Sequence, residues 1–262
     1  MHLYLTSFEP SNSSYCNQEG DVLFKSICVP KASKRTTVIW RALPSPRYTP
    51  HDILWKEKHF VNRRLSTNSS NNIVPEDDDD ELDRRSFESH DHDFHWDSPI
   101  PSICDLQKAA AETELLTSFR KVAEIEFHAI SSTIIRHGGG ERKTCDFFKK
   151  EGWAWYGGNR IFTGPDQKQY MWKMGSSISE LFLLDTDISE EHGKAHVPFL
   201  VARYHCPRHS VPSHEKEPPC LEIFKAGEHM TELILITFIY IEEMRRQRQK
   251  LSPSASPTHE FR

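Results

Sequence analysis

Hydrophobic and polar positions alternate with two different periods along this chain. From Val122 to Ile130, Ala123, Ile125, Phe127 and Ala129 alternate with Glu124, Glu126 and His128. A period of two puts one set on a core face and the other toward solvent, so the run predicts a half-buried strand. His2–Thr6, Val22–Val29 and Thr36–Leu43 are rich in Val, Ile, Thr, Phe and Tyr and predict three earlier strands. Thr133–His137, Arg160–Thr163, Lys168–Met174, Glu180–Leu184, Phe199–His205 and Leu221–Phe224 predict six later ones. Gly164-Pro165-Asp166-Gln167 reads as a hairpin loop between two of them. Short strands at this spacing indicate an antiparallel sandwich or barrel.

The last element breaks the pattern. Glu228–Lys250 reads as a helix, with Glu228 and Glu232 in its first turns and Arg245, Arg246, Arg248 and Lys250 at its end, as the helix dipole favours. Its middle, Leu233 to Ile241, is interrupted only by Thr237, so apolar groups cover every helical face. Such a helix must be surrounded by protein. Its β-branched residues leave a strand reading open. A sheet wrapped round one apolar helix would satisfy both the helix and the inward strand faces. Leu106–Phe119, with Ala109-Ala110-Ala111, predicts a shorter helix.

Composition divides the chain. Its 262 residues carry a formal charge of −5, with 37% hydrophobic and 27% charged residues. Membrane-embedded and collagen-like classes are excluded. Between Ser66 and Cys104 eleven acids face only Arg84 and Arg85, giving −9 and leaving +4 on the remainder. This segment has few aliphatics and reads as a disordered acidic insertion at about 66–104. The rest, 1–250, reads as one domain, followed by a disordered tail at 251–262. The first residues show no basic, apolar and small-residue succession of a secretory leader, and no apolar run approaches about 20 residues. The chain therefore reads as intracellular, and its six scattered cysteines as reduced thiols.

Several blocks carry a family resemblance. They include Leu3-Tyr4-Leu5-Thr6, Gly20-Asp21-Val22, Arg35-Thr36-Thr37 and Ala123-Glu124-Ile125-Glu126-Phe127. The most specific is Phe147-Phe148-Lys149-Lys150-Glu151-Gly152-Trp153, followed by Gly158-Asn159-Arg160-Ile161-Phe162-Thr163. Tyr170-Met171-Trp172-Lys173, Val201-Ala202-Arg203, Leu221-Glu222-Ile223 and Glu228-His229-Met230 complete the set. On these residues, at 1–41 and about 120–250, the chain resembles an uncharacterised domain family of mushroom-forming fungi. That family is similar in fold to the tubby C-terminal and scramblase-like barrels. The resemblance implies a closed antiparallel barrel of about twelve strands round a buried C-terminal helix. It implies no established activity, and fold alone is a weak functional warrant.

The candidate chemistry is sparse. Lys149, Lys150, Arg160, Lys173 and Arg203 lie on predicted strands or their ends, where a basic patch would attract phosphate groups of an anionic lipid or membrane surface. The bland alternative is a solvated charged face, with Trp153 to Tyr156 closing the barrel. His137-Gly138-Gly139-Gly140 matches an oxyanion-hole string, but no G-x-S-x-G nucleophile elbow accompanies it, so a hydrolase is disfavoured. His90, His92 and His95 fall in the insertion, and His205, Cys206, His209, His214 and Cys220 are irregularly spaced. Neither group predicts a metal site, and nothing calls for a cofactor. No nucleic-acid motif is present. The sequence thus predicts a non-enzymatic barrel that binds an anionic ligand, or else a scaffold whose acidic insertion engages protein partners.

Overall fold

A computed structural model describes residues 1–31, 34–43, 102–128, 131–151, 158–175, 178–184, 198–207 and 217–251. The expected insertion lies outside them, apart from Ser102–Cys104, as does the expected tail after Leu251. The fold is mainly β, in one antiparallel sheet of thirteen strands. The chain lays down β1 (His2–Leu5), β2 (Ser13–Cys16), β3 (Val22–Lys31) and β4 (Lys34–Ala42). After helix α1 (Ile103–Leu116) come β5 (Phe119–His128), β6 (Ile134–His137) and β7 (Gly140–Lys143). A single helical turn, α2 (Thr144–Phe147), leads to β8 (Lys149–Glu151), β9 (Asn159–Thr163), β10 (Gln169–Met174) and β11 (Ser179–Leu184). Then follow β12 (Phe199–His205), β13 (Cys220–Ile223), a 3-10 helix over Lys225–Met230 and α3 (Thr231–Leu251).

The spatial order is β7-β6-β5-β4-β3-β2-β1-β13-β12-β11-β10-β9-β8. Two meanders, β1–β7 and β8–β13, therefore share a single strand pair, β1 with β13. The inner face is apolar. Ala123, Ile125 and Phe127 are buried as the alternation predicts, and they join Leu3, Leu5, Ile39, Trp172, Leu181 and Leu221 in one core.

The helix α3 fills that core. Ile234, Leu235, Ile236, Thr237, Phe238, Ile239, Ile241 and Glu242 are all 0% exposed. Eight such residues within nine consecutive positions occupy every face of a helix with 3.6 residues per turn, so the sheet curls round it. The helix meets β5 of one meander and β10 and β11 of the other. Each buried Ile, Leu or Phe stabilises by about 1.5–3 kcal/mol. Thr237, the one polar break in the apolar run, is satisfied: it accepts from the Trp172 indole at 3.0 Å and donates to the Leu233 carbonyl at 2.8 Å.

On the outer side, α1 starts at Ser102, whose hydroxyl accepts from the Asp105 amide at 3.2 Å. It packs on β2 and β3 through Leu106, Ala110 and Thr113, spaced i, i+4, i+7. Gly20 must be glycine there, because a Cβ would lie 2.8 Å from the Ala109 methyl and its φ is +88°. This helix begins three residues before the sequence-based expectation.

The expected barrel differs in two respects. Among the described residues there are thirteen strands where about twelve were expected, and β7 and β8 end the sheet without pairing to each other. Parity explains the open ends. In a sheet with antiparallel neighbours throughout, the first and thirteenth strands run the same way, so a β7–β8 pair would be parallel. Parallel pairs need crossovers of about a dozen residues or more, and only 144–148 separate these two strands.

Candidate functional site

The sheet register assigns each expected basic residue to a face. On β10 to β13 and β1, Lys173, Glu180, Arg203, Glu222 and His2 stand opposite one another in a single outer row. Charges alternate along it. The Arg203 Nε donates to Glu180 Oε1 at 2.9 Å, so Arg203 is neutralised and Lys173 also neighbours that carboxylate. Lys149 shares this outer face but sits at the sheet's end, opposite Ile161. Lys150 and Arg160 oppose each other in register and belong to the other, inward face, in line with Trp172. The five residues thus form a compensated outer pair, an inward pair and one edge lysine.

The inward pair has the stronger electrostatics. Arg160 is only 4% exposed, and its Nη1 donates to the Asn159 carbonyl at 3.1 Å. Arg248, on the last turns of α3, has its pKa lowered by burial and by repulsion from Arg160. Lys150, Arg160 and Arg248 therefore gather positive charge at the C-terminal end of α3. The buried carboxylate of that end is already committed. Glu242 accepts from Ser179 Oγ at 2.6 Å and from Arg245 Nη2 at 2.8 Å. Arg246 donates to the Phe8 carbonyl.

Sequence reasoning missed Arg248 as a site residue, reading it only as a favourable dipole partner. It also missed a carboxylate clamp across the β1–β13 junction. The Glu222 Oε2 lies 2.9 Å from His205 Nε2, and its Oε1 lies 3.6 Å from His2 Nε2. Burial acts to raise the Glu222 pKa, but hydrogen bonding by the two imidazoles outweighs it and holds the carboxyl at about 2. Neither partner is near Glu222 in sequence, and only the register shows them together.

A family model, described as a family of unknown function (DUF6593), matches residues 67–247. The chain belongs to that family. Its match takes in α1, β5 to β13 and most of α3, and leaves out β1 to β4. The sequence resemblance had run instead over 1–41 and about 120–250. No curated protein and no solved structure matches the chain.

The other constellations resolve into structure where they are described. His137 and Gly140 are opposite ends of the β6–β7 hairpin. Its two turn residues, Gly138 and Gly139, have φ of +60° and +78°. A tight turn with two positive φ values explains the glycine run without catalysis. His205 is engaged by Glu222, and Cys220 is buried with its thiol pKa pushed up by burial. Burial and the nearby Glu114 and Asp21 likewise push Cys16 up to about 12. His90, His92, His95, His209, His214 and Trp153 to Tyr156 lie outside the described residues. Among the described residues, no group of three or more His, Cys, Asp or Glu is arranged to hold a metal, and no helix is long and apolar enough to cross a membrane.

Proposed function

We propose that this family member is a non-enzymatic binding domain, a barrel-like curled sheet of the tubby type that holds an anionic lipid headgroup at a membrane surface inside the cell. One observation carries the reading. Lys150 and Arg160 face one another across β8 and β9, and Arg248 of α3 stands close enough to Arg160 to be perturbed by it. A phosphate group placed beside Lys150, Arg160 and Arg248 would relieve the repulsion between the two arginines. Lys149 on the outer edge, and Lys173 and Arg203 on the outer row, would add longer-range attraction to an anionic surface, weakened by Glu180.

Co-sedimentation with vesicles tests this. Phosphatidylserine-containing vesicles should retain the full chain at low salt, and phosphatidylcholine vesicles should not. Lys150→Glu, at an exposed position, should reduce the retained fraction several-fold, and Arg248→Gln should do the same. Equal retention of wild type and both variants would remove the headgroup reading.

A further inference from the structure

The two open ends of the sheet point to a partner of a different kind. Strands β7 and β8 each lack a neighbour on one side among the described residues, so each presents a row of backbone N–H and C=O groups to solvent. Cations also gather there. Arg142, Lys143, Lys149 and Lys150 are all exposed, and none has an ion pair among the described residues. Several basic residues elsewhere on the sheet are answered: Lys34 by Glu126, Arg136 by Glu124, Glu126 and Glu141, and Arg203 by Glu180.

We propose that the seam between β7 and β8 is a docking edge for an acidic, extended peptide segment of a protein partner, added to the sheet as a strand. Parity favours one added strand. Thirteen antiparallel strands cannot close on themselves with antiparallel pairs throughout, whereas a fourteenth would run antiparallel to both β7 and β8. Such a strand needs its two neighbours about 9–10 Å apart, twice the usual strand spacing. The link 144–148, with its helical turn at Thr144–Phe147, keeps the end of β7 and the start of β8 near each other.

Charge selects the occupant. Short, charged edges are a common defence against unwanted pairing. Here cations outnumber acids: Glu141 is bound by Arg136 at 2.7 Å, which leaves Glu151 beside Arg142, Lys143, Lys149 and Lys150. A second copy of this edge would bring more cations than acids against it, and a neutral strand would gain nothing from the cations. An acidic strand gains both backbone hydrogen bonds and charge pairing, the usual division of labour in strand addition. This inference goes beyond the headgroup reading and rests chiefly on Lys143 and Lys149, of which only Lys149 enters that reading, as a longer-range contributor.

The test measures binding to the full chain by fluorescence anisotropy, with a labelled decapeptide alternating Val and Glu. The wild type should bind it, and Lys143→Glu/Lys149→Glu should weaken binding at least tenfold. A peptide of equal charge with Pro replacing alternate Val residues lacks the amides for pairing and should also bind at least tenfold more weakly. No binding of the Val/Glu peptide, or equal binding of the Pro version, would overturn the proposal. So would loss of retention on phosphatidylserine vesicles in the double variant with peptide binding intact, which would assign these lysines to a membrane surface. Because Lys150, Arg160 and Arg248 are untouched, failure here leaves the headgroup reading standing.

Discussion

The two meanders of this sheet meet in two places, and the places are built oppositely. At the β1–β13 junction the strands are paired in register: Leu3 opposes Leu221, both 0% exposed, and Glu222 reaches the imidazoles of His2 and His205. At the β7–β8 seam there is no pairing between the two meanders, and every strand residue is exposed. The core is continuous beneath both through α3. One meeting place is therefore structural, with its polar groups answered from within the chain. The other has groups that nothing in the described chain answers, and that is where binding belongs.

The largest test of this contrast is truncation at each place. Leu221→Ala removes a fully buried side chain from the junction and should cost about 2–5 kcal/mol, with a correspondingly lower melting temperature. Lys143→Ala at the seam removes an exposed side chain with no ion pair and should change stability by no more than about 0.5 kcal/mol. Comparable losses at both positions, by thermal or urea denaturation, would erase the distinction.

A smaller effect separates the junction's polar clamp from its apolar core. The Glu222 carboxyl stands at about 2 against an ordinary 4.5. Its folded pKa is the depressed one, so its stabilisation is fully present above about pH 4.5 and is lost as pH falls toward 2. Glu222→Gln should cost about 1–3 kcal/mol at neutral pH, in the range of hydrogen bonds to a charged group. The variant should also show a shallower loss of stability than wild type between pH 4.5 and 2. Parallel acid-unfolding curves for the two proteins would show that the clamp contributes nothing.

The junction was more legible in the sequence than the seam, for physical reasons. Strand β5 announced itself because one face is buried and one is wet, which writes a period of two. Helix α3 announced itself because a surrounded helix must be apolar all round. Strand β2 did not, because both its faces are covered: Tyr15 lies inside, while Ser14 hydrogen-bonds to Glu114 of α1. Strands β7 and β8 were not among the expected strands, because neither face is buried and so Glu141-Arg142-Lys143 and Lys149-Lys150-Glu151 carry no alternation of apolar and polar residues. The candidate site shares that limit. Lys150 meets Arg160 only through the β8–β9 register, and Arg142 and Lys143 drew no reading from the sequence. Composition marks basic residues, but only strand pairing shows which of them are already matched.

The smallest effect concerns how β7 is held at the seam. Its one strand partner is β6, and the two are joined through Gly138 and Gly139 at positive φ. A Cβ at Gly139 would meet nothing within 4 Å, so only backbone strain opposes a side chain there. Gly139→Ala should therefore cost about 1–2 kcal/mol, the usual penalty for a left-handed non-glycine residue. Gly139→Asn should cost less, since Asn tolerates that region and suits this turn. The location of the damage matters more than its size. An edge strand held by one neighbour opens without the rest of the sheet, so hydrogen exchange in Gly139→Ala should quicken at the β6 and β7 amides and stay slow at β1 and β13. Faster exchange at the junction as well would mean that the two meeting places unfold as one unit, and that the seam is no more independent than the clamp.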